Sequence, residues 1–305
     1  MSISVVIPTY NGSHFIAETL ESVFAQTIHP DEVLVIDDGS TDDTAAIAES
    51  FTPQVSVFRR SNQRQAAARN FGAQQATSEW IAFIDHDDLW EPNKLERQMD
   101  ELARHPEADL CYTGLVLLMQ QGETAIPGRV WDVPPAKDIR KALFSDVPFL
   151  PSSVIIRRST MLAVNGFDPK VCHGSEDYDM WLRLLHSGAK FAACREPLFQ
   201  YRRHKGNASR DMAWFDECME IYKRLVLPHL PRFAGRIAHL KFQSGHEKNL
   251  ANTLREQRNP AHLAVMARSV LHWPFNDPYR YEALIRMLYT RISIRIMKRA
   301  SGGAA

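Results

Sequence analysis

Four short apolar runs alternate with stretches of helical period over the first third of the chain, and this order constrains the fold more than any other feature. Residues 3–7 end at Pro8, Glu32–Asp37 stops at Asp38-Gly39-Ser40, residues 55–58 form a third run and residues 80–85 a fourth. Between the first two, Phe15, Ile16, Leu20, Val23 and Phe24 recur at helical spacing behind Ser13, a candidate N-cap. Thr41 or Asp42 can cap a second helix, the alanine-rich residues 65–76 predict a third, and Pro92 suits the first turn of a fourth. Strand and helix in alternation imply a parallel sheet with right-handed crossovers and helices on both faces. The expected fold class is α/β: a Rossmann-like, mostly parallel sheet flanked by helices.

In such a sheet the ligand crevice lies at the carboxyl ends of the strands. The polar clusters fall there: Thr9-Tyr10-Asn11, Asp37-Asp38-Gly39-Ser40 and Asp85-His86-Asp87-Asp88. The last packs three carboxylates into four residues, which repel unless a positive charge joins them. If strand geometry persists, Asp85 and Asp87 share one side and Asp88 points away. Two hard oxygen donors on one side suit Mg²⁺ or Mn²⁺, which also take substrate phosphates. The plain alternative is a solvated acidic turn capping the helix near Pro92, a task Asp88 could perform alone. Asp-x-Asp after an apolar strand also fits an aspartyl-phosphate phosphotransferase with Asp85 as nucleophile. Those proteins place that strand first in the sheet; here it is fourth.

Composition narrows the partners. Among 305 residues, 36 basic and 36 acidic side chains give a formal net charge of +0, so nothing draws the whole molecule to nucleic acid. Cys111, Cys172, Cys194 and Cys218 are far apart, with no C-x-x-C pair, and predict buried free thiols rather than a zinc site. Met1 leads almost directly into a strand pattern, and no run approaches the ~18 apolar residues that span a bilayer. A cytoplasmic protein is expected.

The middle of the chain is less regular. Residues 110–119 and 125–131 suggest a hairpin around Gln121-Gly122, residues 153–156 a strand, residues 175–187 an amphipathic helix and residues 198–201 a strand followed by Arg202-Arg203-His204. His204 could hold a metal or a phosphate. His86 is better suited to structure than to ligation. Trp90 and Trp181 could meet a sugar face, though core packing is the commoner use. From about residue 209 to 305 the pattern predicts a helical extension.

In chain order, VVIPTYNG, VIDDGSTDDT, AARN, FIDHDDLW, GFD and SEDYDMWLRL together resemble glycosyltransferase family 2, the inverting nucleotide-sugar transferases of GT-A fold. The resemblance covers roughly residues 2–210. It implies a domain over 1–208, with a nucleotide-binding half at about 1–108 and an acceptor half at about 109–208. It implies a nucleoside diphosphate sugar donor, UDP-linked by preference, with Mn²⁺ or Mg²⁺ and a glycan or lipid-linked acceptor, in cell-surface polysaccharide synthesis. Pro8, Thr9 and Tyr10 would line the nucleobase pocket. Asp38 would accept from the base, Arg69 would approach the nucleotide, and Asp85 would contact the ribose or the metal. Asp87 would be the principal metal ligand, with His204 in the stretch that closes over the diphosphate. Asp177 would be the catalytic base, with Glu176 beside it near the acceptor as a second catalytic residue. Arg64 stands where many relatives have glycine, which puts the local loop in question.

Two readings compete with a transferase: a nucleotide-sugar-binding module without turnover, which would lack Asp87 or Asp177, and the phosphotransferase already named. Residues 284–299 hold no acidic side chain, and on a helix Ile285, Ile292 and Ile296 adjoin a stripe of Arg291, Arg295 and Lys298. Such a helix can lie on the inner face of an anionic membrane, or dock on its own domain or a second subunit.

Overall fold

The first strand shows why the chain folds as it does. All seven residues of β1 (Ile3–Thr9) are buried, and a strand covered on both faces reads as a continuous apolar run rather than an alternation. In the computed structural model, which describes residues 1–121, 124–204, 212–256 and 259–272, helix α1 (Ile16–Phe24) leads to β2 (Glu32–Asp37). Helix α2 (Thr44–Glu49), β3 (Ser56–Arg59), α3 (Arg64–Gln75) and β4 (Trp80–Phe83) follow. β1 pairs in parallel with β2 and β4, and β2 with β3. The parallel sheet expected from the N-terminal alternation is present, with half-exposed β3 as its edge.

The second half is mixed. It runs β5 (Leu89–Trp90), α4 (Lys94–Arg104), β6 (Leu110–Gln121), β7 (Thr124–Trp131), α5 (Ile139–Leu143), β8 (Ile155–Arg157), α6 (Arg158–Ala163), α7 (Glu176–Ser187) and β9 (Phe191–Arg203). The strand order is β3-β2-β1-β4-β8-β6-β9-β5, with β7 hairpinned onto β6. β8 lies antiparallel between β4 and β6, while β9 runs parallel to β6. Parallel pairing therefore dominates the first half, and antiparallel pairs join the second half to it.

Several local expectations change. Ser13 does not cap α1; Phe15 precedes that helix, and the Ser13 N–H donates to Asp42 instead (3.2 Å). Asp42 accepts from the Thr44 N–H at the start of α2 (3.1 Å). Asp88 does not cap α4, which begins after Asn93. Trp90 and Trp181 are both buried. Trp90 donates to the Ser152 carbonyl (2.9 Å), and Trp181 packs against Phe149 and Phe167, so neither meets solvent or sugar. Cys111, Cys194 and Cys218 are buried and in no disulfide, while Cys172 is only half-buried, so the expected burial holds for three of the four; burial pushes Cys111 up to about 12.

The chain divides into two compact units, Met1–Leu143 with Val147–Asn207, and Phe144–Asp146 with Ala208–Ala305. The described part of the second holds helices α8 (Met212–Leu225), α9 (Arg232–Glu256) and α10 (His262–His272). Within it, Ser244 and Ser269 exchange hydroxyl-to-carbonyl hydrogen bonds (2.7 Å each), and buried Glu247 accepts from His272 (2.7 Å). The basic stripe at 284–299 lies outside the described residues. Among the described residues no helix is long and apolar enough to cross a membrane.

Candidate active site

The loops after β1 and β2 are laced together by main-chain donors. The Asn11 N–H donates to Ser40 Oγ (2.9 Å), the Thr41 N–H to Asn11 Oδ1 (2.8 Å) and the Gly12 N–H to Thr44 Oγ1 (2.8 Å). Asp38 is buried, and both its carboxylate oxygens accept from the Gln63 N–H (3.0 Å each). Burial raises its pKa; the N–H donors of Gln63 and Arg64 and the charge of Arg60 oppose the shift. Pro8 and Thr9 are buried in β1, whereas Tyr10 is 46% exposed. Thr9 Oγ1 is a buried polar atom with no hydrogen-bond partner among the described residues.

Arg64 has φ +70, in the left-handed region that glycine enters freely. The loop thus keeps the backbone shape glycine would give it while carrying an arginine. Gly12 has the reverse constraint: a Cβ there would lie 2.2 Å from the His86 ring, so His86 packs against the first loop.

The acidic cluster does not continue the strand. β4 ends at Phe83, and the Asp88 N–H closes a turn on the Asp85 carbonyl (3.1 Å). The i, i+2 alternation expected for Asp85 and Asp87 therefore does not apply, and each carboxylate finds its own partner. Asp85 Oδ1 accepts from Arg69 Nη2 (2.6 Å), and Asp87 Oδ2 lies 2.9 Å from His204 Nε2. Asp88 turns inward to accept from Ser152 Oγ (2.6 Å) and the Arg202 N–H (3.1 Å). Burial, with Asp87 and Asp85 close by, holds Asp88 well above the usual carboxylate range. For Asp87 burial acts upward too, but the His204 hydrogen bond and the charges of His86 and His204 bring it below its ordinary value.

Across the site, α7 opens with Glu176 and Asp177 behind the loop that starts at Gly166. Both are buried, at 3% and 6% exposure. Asp177 Oδ1 accepts from the Tyr178 N–H (2.7 Å). Glu176 Oε1 accepts from Arg69 Nη1 (2.7 Å). Arg69 is only 1% exposed and spends both terminal nitrogens on carboxylates, so it reaches the site through Asp85 and Glu176 rather than by presenting a free guanidinium.

The site so assembled takes its parts from β1, β2, α3, the turn after β4, α7 and the end of β9. The sequence reading missed three supports. Ser152 Oγ accepts from the Asp85 N–H (3.0 Å) while donating to Asp88. Asn70 clamps the Phe167 backbone through its N–H and C=O (2.8 and 2.7 Å). Arg202 donates from Nε to the Asp87 carbonyl (2.9 Å). Asn70 and Arg202 lie inside stretches already singled out, so a rule that buried polar groups need partners could have flagged them. Ser152 carried no such signal.

A sequence profile described as Glycosyl transferase family 2 matches residues 4–163. The putative glycosyltransferase EpsE of Bacillus subtilis is 28% identical over 237 residues, covering 74% of this chain and 84% of that one. The amylovoran biosynthesis glycosyltransferase AmsB of Erwinia amylovora is 28% identical over 254 residues, covering 76% and 80%. An uncharacterized glycosyltransferase of Rickettsia typhi is 29% identical over 191 residues, and the match spans only 58% of that relative. Among solved structures, Staphylococcus aureus TarS in complex with UDP superposes with a TM-score of 0.62 at 19% identity, covering 93% of this chain and 83% of TarS. The mannosyltransferase PcManGT of Pyrobaculum calidifontis, in complex with GDP-Man and Mn²⁺, gives 0.58 at 18%, covering 95% and 80%. At such identities the structures speak for the fold. With the family profile matched over more than half of its 305 residues and a sheet of the same architecture, the chain belongs to glycosyl transferase family 2 and has a GT-A-like fold.

Proposed function

We propose that this chain moves a sugar from a nucleoside diphosphate sugar, UDP-linked by preference, to a hydroxyl of a glycan or lipid-linked acceptor, with inversion at the anomeric carbon. The observation that carries this reading is the convergence of Thr9, Asp38, Asp85, Asp87 and the Glu176-Asp177 helix start on one end of one sheet. Thr9 and Asp38 present a hydroxyl unpartnered among the described residues and a buried carboxylate, suited to the polar edge of a base such as uracil. Pro8 and exposed Tyr10 complete the lining of that pocket.

Asp87 and His204 are spaced as neighbouring ligands of a divalent ion would be. Two ligands bound at right angles at about 2.1 Å stand about 3 Å apart, and Asp87 Oδ2 and His204 Nε2 are 2.9 Å apart. Asp87 would be the principal ligand, with His204 and Asp85 beside it. Mixed carboxylate and imidazole donors suit Mn²⁺ somewhat better than Mg²⁺. When bound, such an ion supplies Lewis-acid stabilisation of the charge that grows on the departing diphosphate. Asp177, in the first turn of α7, would take the acceptor hydroxyl's proton as general base.

TarS has been solved with UDP-GlcNAc, which supports a UDP-linked donor, and AmsB is named for amylovoran biosynthesis, which supports a biosynthetic transferase. The proposed product is a cell-surface glycan. A nucleotide-sugar-binding module is the weaker reading, because Asp87 and Asp177 are both retained at the site. A panel of UDP-, GDP- and dTDP-sugars with Mn²⁺, scored by release of nucleoside diphosphate, tests the proposal. Turnover with a UDP-sugar is expected, and its loss on chelation with EDTA. Binding without release from any donor would leave only the module.

A further inference from the structure

Arg69 is a buried cation at the site, and its geometry is unusual for a ligand-binding arginine. One terminal nitrogen ends on Asp85 (2.6 Å) and the other on Glu176 (2.7 Å), residues that belong to opposite sides of the reading above. Its guanidinium carbon lies 5.3 Å from the Phe167 ring centroid, and Nε has no hydrogen-bond partner among the described residues. The two carboxylates differ. The Asp85 side chain is 27% exposed and keeps a face toward solvent while one oxygen is held. That of Glu176 is 3% exposed, and its Oε1 is tied to Arg69.

The next residue on the same helix adds a second fastening. Asn70 grips both backbone groups of Phe167, in the loop that leads to α7. Gly166 beside it has φ +62, and a Cβ there would meet Asn70 Oδ1 at 2.2 Å, so the loop sits hard against α3. Two consecutive residues of α3 thus fix the approach to α7 and its first residue. A buried ion triad is a costly way merely to stabilise a core, since apolar packing often does as well.

We propose that Arg69 is a positioning residue: one guanidinium sets the donor-side carboxylate Asp85 and, through Glu176, the helix start that carries Asp177. Donor binding and proton removal are thereby held in register. The proposal rests on the transferase reading. It also reassigns Glu176, from a catalytic group to the anchor that aims its neighbour.

The test uses the full-length protein with Mn²⁺ and compares Arg69→Met, Arg69→Lys, Glu176→Gln and the double variant R69M/E176Q. Melting temperature, UDP affinity by calorimetry and kcat with the best sugar donor are read for each. Misplacing a reacting group by about 1 Å costs about 10²-fold. Arg69→Met is therefore expected to lower kcat by about that factor and to weaken UDP as well. Arg69→Lys cannot span both carboxylates and should fall between it and wild type. Glu176→Gln should lower kcat about tenfold with UDP affinity within about twofold of wild type. The double variant leaves no buried Glu176 charge unpaired, so it should recover melting temperature relative to Arg69→Met while kcat stays low. If Arg69→Met fails to fold, Glu176→Gln and the double variant carry the test. Recovery of kcat together with melting temperature in the double variant would reduce Arg69 to a structural ion pair. So would a folded Arg69→Met with kcat and UDP affinity within threefold of wild type. If the wild-type protein turns over no donor, the transferase reading fails and the positioning role with it. If wild type is active and these ratios do not hold, the positioning role fails alone.

Discussion

The two sides of the site are held by different means. In the loops after β1 and β2 the carboxylates rest on main-chain N–H groups: Asp38 on Gln63, Asp42 on Thr44 and Ser13, Asp37 on Ser40. Around the acidic turn and α7 they rest largely on side chains: Asp85 and Glu176 on Arg69, Asp87 on His204, Asp88 on Ser152. Main-chain donors survive substitution of the residue that supplies them, whereas a side-chain partner disappears with it. The difference teaches where the molecule should be robust and where fragile. Changing the side chain of a main-chain donor such as Gln63 should be tolerated, and single changes around the second set should be felt in full.

The largest break of that symmetry is expected at Asp177. Asp177→Asn preserves shape and removes basicity, and loss of a general base typically costs about 10²–10⁴-fold in rate. Steady-state kinetics should show that loss in kcat, with UDP affinity by calorimetry little changed, because Asp177 is proposed to serve the acceptor rather than the donor. His204→Ala should come next. It removes the partner of Asp87, and loss of a ligand or its orienting neighbour typically weakens metal binding about 10–100-fold. A Mn²⁺ titration of UDP binding would show the midpoint move; an unmoved midpoint would detach His204 from the metal.

A third kind of buried charge sharpens the comparison. Lys94 is fully buried, donating to Gln98 Oε1 (2.7 Å) with its ammonium 4.1 Å from the Trp90 ring centroid, and no ion pair among the described residues includes it. Burial lowers its pKa to about 7, against weak opposing contributions from Cys111 and Cys194. The unfolded chain keeps the ordinary, higher value. As pH falls from about 10.5 toward 7 the unfolded state binds a proton that the native state refuses, so folding is increasingly penalised; below 7 the penalty levels off. Lys94→Met should therefore stabilise the protein by about 1–2 kcal/mol at pH 7, with the gain shrinking toward pH 10. Thermal melts across that range check the sign, and a gain that grows with pH would refute it.

The smallest effect is expected at Arg64, on the donor side. A left-handed non-glycine residue costs about 1 kcal/mol, and glycine returns much of that gain as unfolded-state entropy. Arg64→Gly should change stability by less than about 1 kcal/mol and leave UDP affinity unaltered, since Asp38 is held by main chain. Denaturant melts and calorimetry suffice to check both.

The same division explains what could be read from the sequence. The parallel half was legible because buried strands and amphipathic helices leave their period in the residues, and the strand-end clusters marked the crevice. The placement of Thr9, Asp38, Asp85 and Asp87 at one sheet end follows from that order, whereas Glu176 and Asp177 were singled out through the family resemblance. Partnership was not legible. Arg69 and Glu176 are separated by 107 positions, and His204 and Asp87 by 117; no local pattern links them. The alternation assumed for Asp85 and Asp87 failed because the chain turns at once after β4 and Ser152, from a distant segment, secures that turn. Trp90 and Trp181 were open between core and ligand because tryptophan serves both, and only burial decides.

The central claim, nucleotide-sugar transfer with inversion, is tested most directly by one experiment. Purified full-length protein with Mn²⁺ is given each sugar nucleotide of the panel, and proton NMR follows the anomeric signal of the sugar released or transferred before it can mutarotate. The account predicts UDP release from a UDP-sugar and a first-formed product of opposite anomeric configuration to the donor. Retained configuration, or no nucleoside diphosphate released from any donor, would contradict it.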